Sequence, residues 1–260
     1  MAIGVGALAA GGGEVSDVSG ESAARPERNP RDPERWKMRP IHKYRMGKLA
    51  FDYRPGPAFF EFADPVVDSE RTLLRYDALY VFWQVIHNLK AVPGQIAEIG
   101  TYRGGSAFFI ASLCAATTVG NDVPFDVFDT FEGHPENAVS EQDPNQRVGH
   151  FNATSYDDVR EYLSPFAQIR VHKGDILTAL PSLGEAQYRL VHIDTDLYLP
   201  TKRCLEYFGS RLSSNGVVVL DDYGSPKCEG VRTGAGEFLE SNDDFQVWDL
   251  RTEQLVLVKR

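Results

Sequence analysis

"RLVHIDTDLY", residues 189–198, begins as a strand and ends in acid. Leu190 to Ile193 read as a buried run, and Asp194 and Asp196 follow with one residue between them. "GVVVLDDYG", residues 216–224, repeats the design with Asp221 and Asp222. Two core strands that each deliver carboxylates at the C-terminal tip point to one polar site. That edge of an open α/β sheet carries the ligand crevice.

Working outward, further strand-like runs lie at 95–99, 124–128 and 168–172, beside those at 187–193 and 216–220. Helix-like runs lie at about 105–117, 155–163, 176–183, 199–212 and 229–241. Strand and helix alternating at this spacing predict an α/β fold, a parallel sheet with helices on both faces. The tail departs from it. "FQVWDL" and "QLVLVK", separated by residues 251–253, predict a C-terminal antiparallel hairpin.

Upstream, residues 1–35 are rich in Gly, Ala, Ser, Pro and charge, and read as a disordered tail. Residues 36–90 read as an N-terminal lid segment. Its aromatic part, 36–68, is irregular and is expected to lie over a site. Its second part, 69–90, is helical in pattern, with Ser69 as N-cap. That apolar helix is a candidate contact between copies of the chain, so a homo-oligomer is expected. Residues 91–260 form the main domain.

A length of 260 residues suits one sizeable core. A net charge of −10 argues against nucleic acid or an anionic membrane as partner, both being polyanions. No apolar run reaches bilayer-spanning length, and the start lacks a basic region before its mildly apolar stretch, so the chain is expected to be cytoplasmic. Cys114, Cys204 and Cys228 form no CxxC pair and are expected to be buried thiols.

"EIGTYRGGS", residues 98–106, runs from strand into helix through Gly100, Thr101, Tyr102, Gly104 and Ser106. The dinucleotide fingerprint needs a glycine where Tyr102 stands, and no GK[ST] follows. The turn suits a nucleoside ligand without a diphosphate. Glu98 beside it would repel phosphate and could pair with an ammonium group. Asp129 ends the next strand, where such sheets place an acid on ribose hydroxyls or cap a helix. Asp175, after the third strand, takes a donor from a base edge or caps the following helix.

Asp194, Asp221 and Asp222 are expected to meet, because the fourth and fifth strands normally lie side by side. Three carboxylates that close take up a proton or hold a cation. With no His or Cys at ligand spacing, the donor set favours Mg²⁺ and disfavours Zn²⁺. Asp196 joins the cluster or caps the next helix. His192 reads as a core histidine, and His134 as a residue that could line the crevice.

These stretches, with "FDTFEGHPE", "HKGDILTALP", "HIDTDLYLPT" and "LDDYGSPKCEGVRTGAGEFL", resemble the TylF or macrocin O-methyltransferase family over about residues 70–258. The resemblance implies a class I, S-adenosylmethionine-dependent fold: a Rossmann-like sheet of seven strands ending in the hairpin. It implies that Glu98, Gly100 and Gly104 hold the methionine end of the cofactor, with Thr101, Tyr102 and Ser106 in the same turn. It places Asp129 on the ribose and Asp194, Asp221 and Asp222 on Mg²⁺; Asp175 and Asp194 are counted among the residues expected to bind the cofactor. The reaction implied is methylation of one hydroxyl of a vicinal diol on a sugar of a secondary metabolite, with Asp194 as candidate base. His134 and Thr195 depart from the residues expected at their positions. Two other readings share the "DTD" signal or the scaffold: a DxD-type metal-dependent glycosyltransferase, and a non-catalytic binder of the cofactor.

Overall fold

The computed structural model describes residues 57–117, 119–120 and 122–260, and the backbone of two short strands, β1 (Arg45–Met46) and β2 (Leu49–Ala50), which pair antiparallel. The predicted tail at 1–35 lies outside the described residues, as does most of 36–56.

The main sheet has seven strands in the order β5-β4-β3-β6-β7-β9-β8. They are β3 (Gln95–Ile99), β4 (Phe125–Asp129), β5 (Ile169–Lys173), β6 (Tyr188–Ile193), β7 (Leu212–Leu220), β8 (Phe245–Asp249) and β9 (Leu255–Lys259). The first five run parallel, and β9 enters antiparallel between β7 and β8. Every strand expected from the sequence forms, within a residue or two, except that β7 starts four residues earlier than the 216–220 run. The order reverses between β3 and β6, which makes that gap the topological switch point.

Helices cover both faces. One face carries α1 (Pro57–Asp68), α2 (Tyr76–Asn88), α3 (Gly105–Ala116) and α4 (Tyr156–Tyr162), packed around Phe59, Phe82, Phe109 and Phe125. The other carries α5 (Ile176–Ala179), α6 (Tyr198–Arg211) and α7 (Glu229–Glu240), around Phe208, Phe238 and Phe245. No described helix is long and apolar enough to cross a membrane.

The N-terminal region corrects the sequence reading twice. Residues 57–68 are helical, not irregular: Phe59, Ala63 and Val66 recur on one face and are buried, although Pro65 lies inside the helix. The helix expected over 69–90 is shorter, because residues 69–75 form a connecting loop. Ser69 closes α1, its hydroxyl donating to the Val66 carbonyl at 2.7 Å, and does not start α2. The apolar face of α2 (Leu79, Phe82, Ile86) is fully buried in the core, so it offers no contact to another copy.

Candidate active site

In the parallel ladder Ile99 pairs with Phe128 and with Ile193, and Ile193 pairs with Leu220. Gly100, Asp129, Asp194 and Asp221 each follow one of these residues. Register alone therefore brings the glycine turn and three carboxylates to one level, at the C-terminal edge on both sides of the switch point. A cavity of about 480 Å³ opens there and is bordered by all four, a size usual for small-molecule sites.

The glycine turn is fixed by its neighbours. Gly100 has φ +85°, and a Cβ there would sit 1.8 Å from the Asp194 carbonyl oxygen. Only glycine lets β3 turn this close to the tip of β6. Gly104 does not border the cavity. A Cβ there would meet Val159 and Tyr162 of α4. Tyr102 holds φ +53° where the dinucleotide fingerprint has glycine, and its backbone N–H is tied to Asp129.

Asp129 organises this half. Its carboxylate accepts backbone N–H groups from Thr101 (3.0 Å), Tyr102 (2.8 Å) and Phe131 (2.7 Å). Burial raises its pKa, and those hydrogen bonds oppose the rise. Thr101 borders the cavity, and its buried hydroxyl oxygen has no hydrogen-bond partner among the described residues. Asp175 caps α5, accepting from the Leu177 N–H at 3.0 Å, and accepts the Asn137 amide at 2.8 Å; its side chain is thus committed to structure at the cavity edge.

Glu98 departs from expectation. It is fully buried and does not border the cavity. Ser106, which does, donates to it at 2.9 Å, and the His192 ring lies 3.3 Å from its other oxygen. A ligand ammonium would meet Ser106 before Glu98. His192 is the core histidine the sequence suggests, fully buried with its ring edge-on to Phe82.

The acidic half lies at the ends of β6 and β7. One oxygen from each of Asp194, Asp221 and Asp222 falls within a 4.8 Å cluster. Burial and then the charge of Asp222 push the Asp221 pKa up to about 7. Burial, then Asp221, Asp196 and Asp222, hold Asp194 well above the carboxylate range. Asp196 is raised too, by burial and then Asp222. Asp196 does not cap α6. That task falls to Asp143, whose carboxylate accepts the Tyr198 N–H at 2.8 Å.

Three features go beyond the sequence reading. Residues 130–155, between β4 and α4, form a long connection that arches from the glycine-turn side to the acidic side; Asp143 and Gln146 anchor it to α6 and to residues 227–228. Cys228 is buried at the start of α7 and donates to Asp196 at 3.5 Å. His134 lies with Nε2 3.9 Å from Asp196. The sequence reading found no His or Cys at ligand spacing and left His134 as a residue that could line the crevice; His134 and Cys228, which follows Asp222 closely in the chain, both stand beside Asp196. The aromatic part expected to act as a lid lies largely outside the described residues. Within the described part of 36–90, helix α1 is core, and Thr72 to Arg75 of the connecting loop border the mouth.

A family model described as macrocin O-methyltransferase (TylF) matches residues 74–244. The chain is 31% identical over 148 residues to an 8-demethyl-8-(2,3-dimethoxy-alpha-L-rhamnosyl)-tetracenomycin-C 4'-O-methyltransferase of Streptomyces olivaceus, covering 53% of this chain and 56% of that protein. It is 28% identical over 148 residues to a mycinamicin III 3''-O-methyltransferase of Micromonospora griseorubida, covering 53% and 58%. The chain thus spans little more than half the length of these relatives. Among solved structures, the O-methyltransferase NovP superposes with a TM-score of 0.65 at 21% identity, covering 73% of this chain and 82% of that one. The fold shared with it is that of the class I methyltransferases.

Proposed function

Because the chain belongs to the macrocin O-methyltransferase family, we propose that it transfers the methyl group of S-adenosylmethionine to one hydroxyl of a vicinal diol. The acceptor is a sugar, most simply a deoxysugar of a glycosylated natural product such as an antibiotic. The metal is Mg²⁺. One observation carries this reading: the glycine turn with Asp129 and the cluster of Asp194, Asp221 and Asp222 border the same cavity.

The residues fit both groups. Three hard oxygen donors, of which Asp194 and Asp221 are held above the carboxylate range by burial and neighbouring charge, are what a divalent cation relieves. Asp194, Asp221 and Asp222 would hold it. An ion held there supplies positive charge that lowers an acceptor hydroxyl's pKa by several units. On the cofactor side, the unpartnered Thr101 hydroxyl and Ser106 offer polar contacts, and three backbone N–H groups fix the direction of Asp129 towards the place of ribose hydroxyls. S-adenosylmethionine supplies an electrophilic methyl on sulfur.

The base role moves from Asp194 to Asp196. Asp194 belongs to the three-oxygen cluster, and one carboxylate cannot serve fully as ligand and base. Asp196 borders the cavity two residues on, beside His134, and is placed to take the acceptor proton. Holding both reactants at attack distance contributes on the order of 7–11 kcal/mol. A homo-oligomer is part of the proposal; Val247 and Trp248, exposed on edge strand β8, are the apolar surface it would use.

The test is a panel of rhamnosylated and deoxyglycosylated acceptors, incubated with S-adenosylmethionine with and without Mg²⁺ and read by mass spectrometry. The expected result is a gain of one methyl that needs the metal. Cofactor binding with no transfer to any diol would make the chain a binding protein. Protection by nucleotide diphosphates, and not by S-adenosylmethionine, would favour the glycosyltransferase reading.

A further inference from the structure

We propose that a second metal site lies beside the acidic cluster, built from His134, Asp196, Asp222 and Cys228 and suited to Zn²⁺ or another thiophilic divalent ion. One oxygen each from Asp196 and Asp222 and the Cys228 sulfur lie within 4.8 Å of one another. The thiol sits 3.5 Å from Asp196 Oδ1. The Gln146 amide donates to the same sulfur at 3.3 Å.

An independent observation comes from His134. Its side chain is 9% exposed, and its Nε2 has no hydrogen-bond partner among the described residues. That nitrogen faces Asp196 Oδ2 at 3.9 Å. A buried ring nitrogen left without a partner is costly, and a metal ion would provide one.

The donors are one imidazole, two carboxylates and one thiol that loses its proton on coordination. Four mixed N, O and S ligands suit tetrahedral Zn²⁺, and soft sulfur disfavours Mg²⁺. Bonds of about 2.0–2.3 Å put tetrahedral ligands roughly 3.3–3.8 Å apart; Cys228 Sγ and Asp196 Oδ1 already stand at 3.5 Å, while His134, 3.9 Å from the other Asp196 oxygen, must turn further in to complete the set. All four residues border the cavity, which gives an ion a way in. Asp222 belongs to both clusters and would bridge them. Since Asp196 is the proposed proton acceptor, Zn²⁺ here would inhibit methyl transfer.

The experiment uses the full chain, reduced and stripped of metal, titrated with Co²⁺ and then Zn²⁺. We expect a near-ultraviolet thiolate-to-cobalt absorption band that Zn²⁺ bleaches. Cys228→Ser should abolish the band, since Cys114 and Cys204 are buried away from the acids. His134→Gln should weaken Zn²⁺ binding roughly tenfold or more. Asp221→Asn should keep the band while losing Mg²⁺-dependent thermal stabilisation, which separates this site from the first. Absence of the band in the folded wild-type chain overturns the proposal. So does its persistence in Cys228→Ser, or unchanged Zn²⁺ affinity in His134→Gln.

Discussion

Burial and the charge of Asp222 hold the Asp221 carboxyl at about 7 in the metal-free chain, against an unfolded value of about 3.9. Below about pH 4 both states carry the proton, and the site costs nothing. Between about pH 4 and 7 the folded state keeps a proton that the unfolded state has released. The folded state then binds more protons, so stability falls as pH rises through that window. Asp194, raised in the same direction, adds to the fall. Asp221→Asn removes one charge from the cluster. In chelator at pH 8 it should therefore raise Tm, by about 2–8 °C if the relief is on the order of 1–2 kcal/mol; differential scanning calorimetry checks this, and a lower Tm would contradict it. Gly100→Ala acts the other way. Its methyl would meet the Asp194 carbonyl at 1.8 Å, so it should destabilise by roughly 3 kcal/mol or more, measured by urea unfolding.

At the scale of elements, the loop between α1 and α2 joins the core to the mouth of the site. Arg71 anchors it. Its guanidinium forms a two-pronged bond with Asp158 at 2.8 and 3.0 Å, donates to the Arg103 carbonyl at 3.2 Å and lies over the Tyr162 ring. Gly105 lets the loop pass, since a Cβ there would meet the Arg71 backbone at 2.7 Å. Arg71→Ala should raise KM for S-adenosylmethionine about three- to tenfold, or up to about 1.4 kcal/mol, with little change in kcat; Arg71→Lys should recover only part, because it lacks the planar fork. None of this was legible in the sequence. Leu73 and Leu74 continue the helical pattern of α2 backwards, yet Leu73 is 66% exposed in the loop. Pro57 and Pro65 hid the period of α1. The β-strands and α3 to α7 were legible because apolar run length and turn residues suffice for a doubly covered sheet. The tips of β6 and β7 were legible too, since their acids follow the strands directly. Asp143 and Gly105 were not, because each owes its role to a segment distant in the chain; His134 was legible only as a residue that could line the crevice, and Cys228 only as a buried thiol.

The whole molecule works as a sheet whose register sets two half-sites face to face. β3 and β4 carry the glycine turn and Asp129, while β6 and β7 carry the acids. The aromatic core under α1 and α2 holds β3 in that register. Phe82, fully buried against His192, should cost about 3–5 kcal/mol when cut to alanine, seen as a lower urea midpoint. The hairpin of β8 and β9 closes the far side and sets Gln254, fully buried, next to Asp221, where its amide partly opposes the rise in pKa that burial and Asp222 cause. The account rests on the acids at the tips of β6 and β7 acting together on one cation. Isothermal titration of Mg²⁺ into the metal-free chain, with S-adenosylmethionine present, measures this directly. Saturable binding that Asp194→Asn, Asp221→Asn and Asp222→Asn each weaken at least about tenfold, with cofactor affinity retained, is the predicted result; Mg²⁺ affinity unchanged in all three variants, or methyl transfer at full rate in chelator, would contradict it.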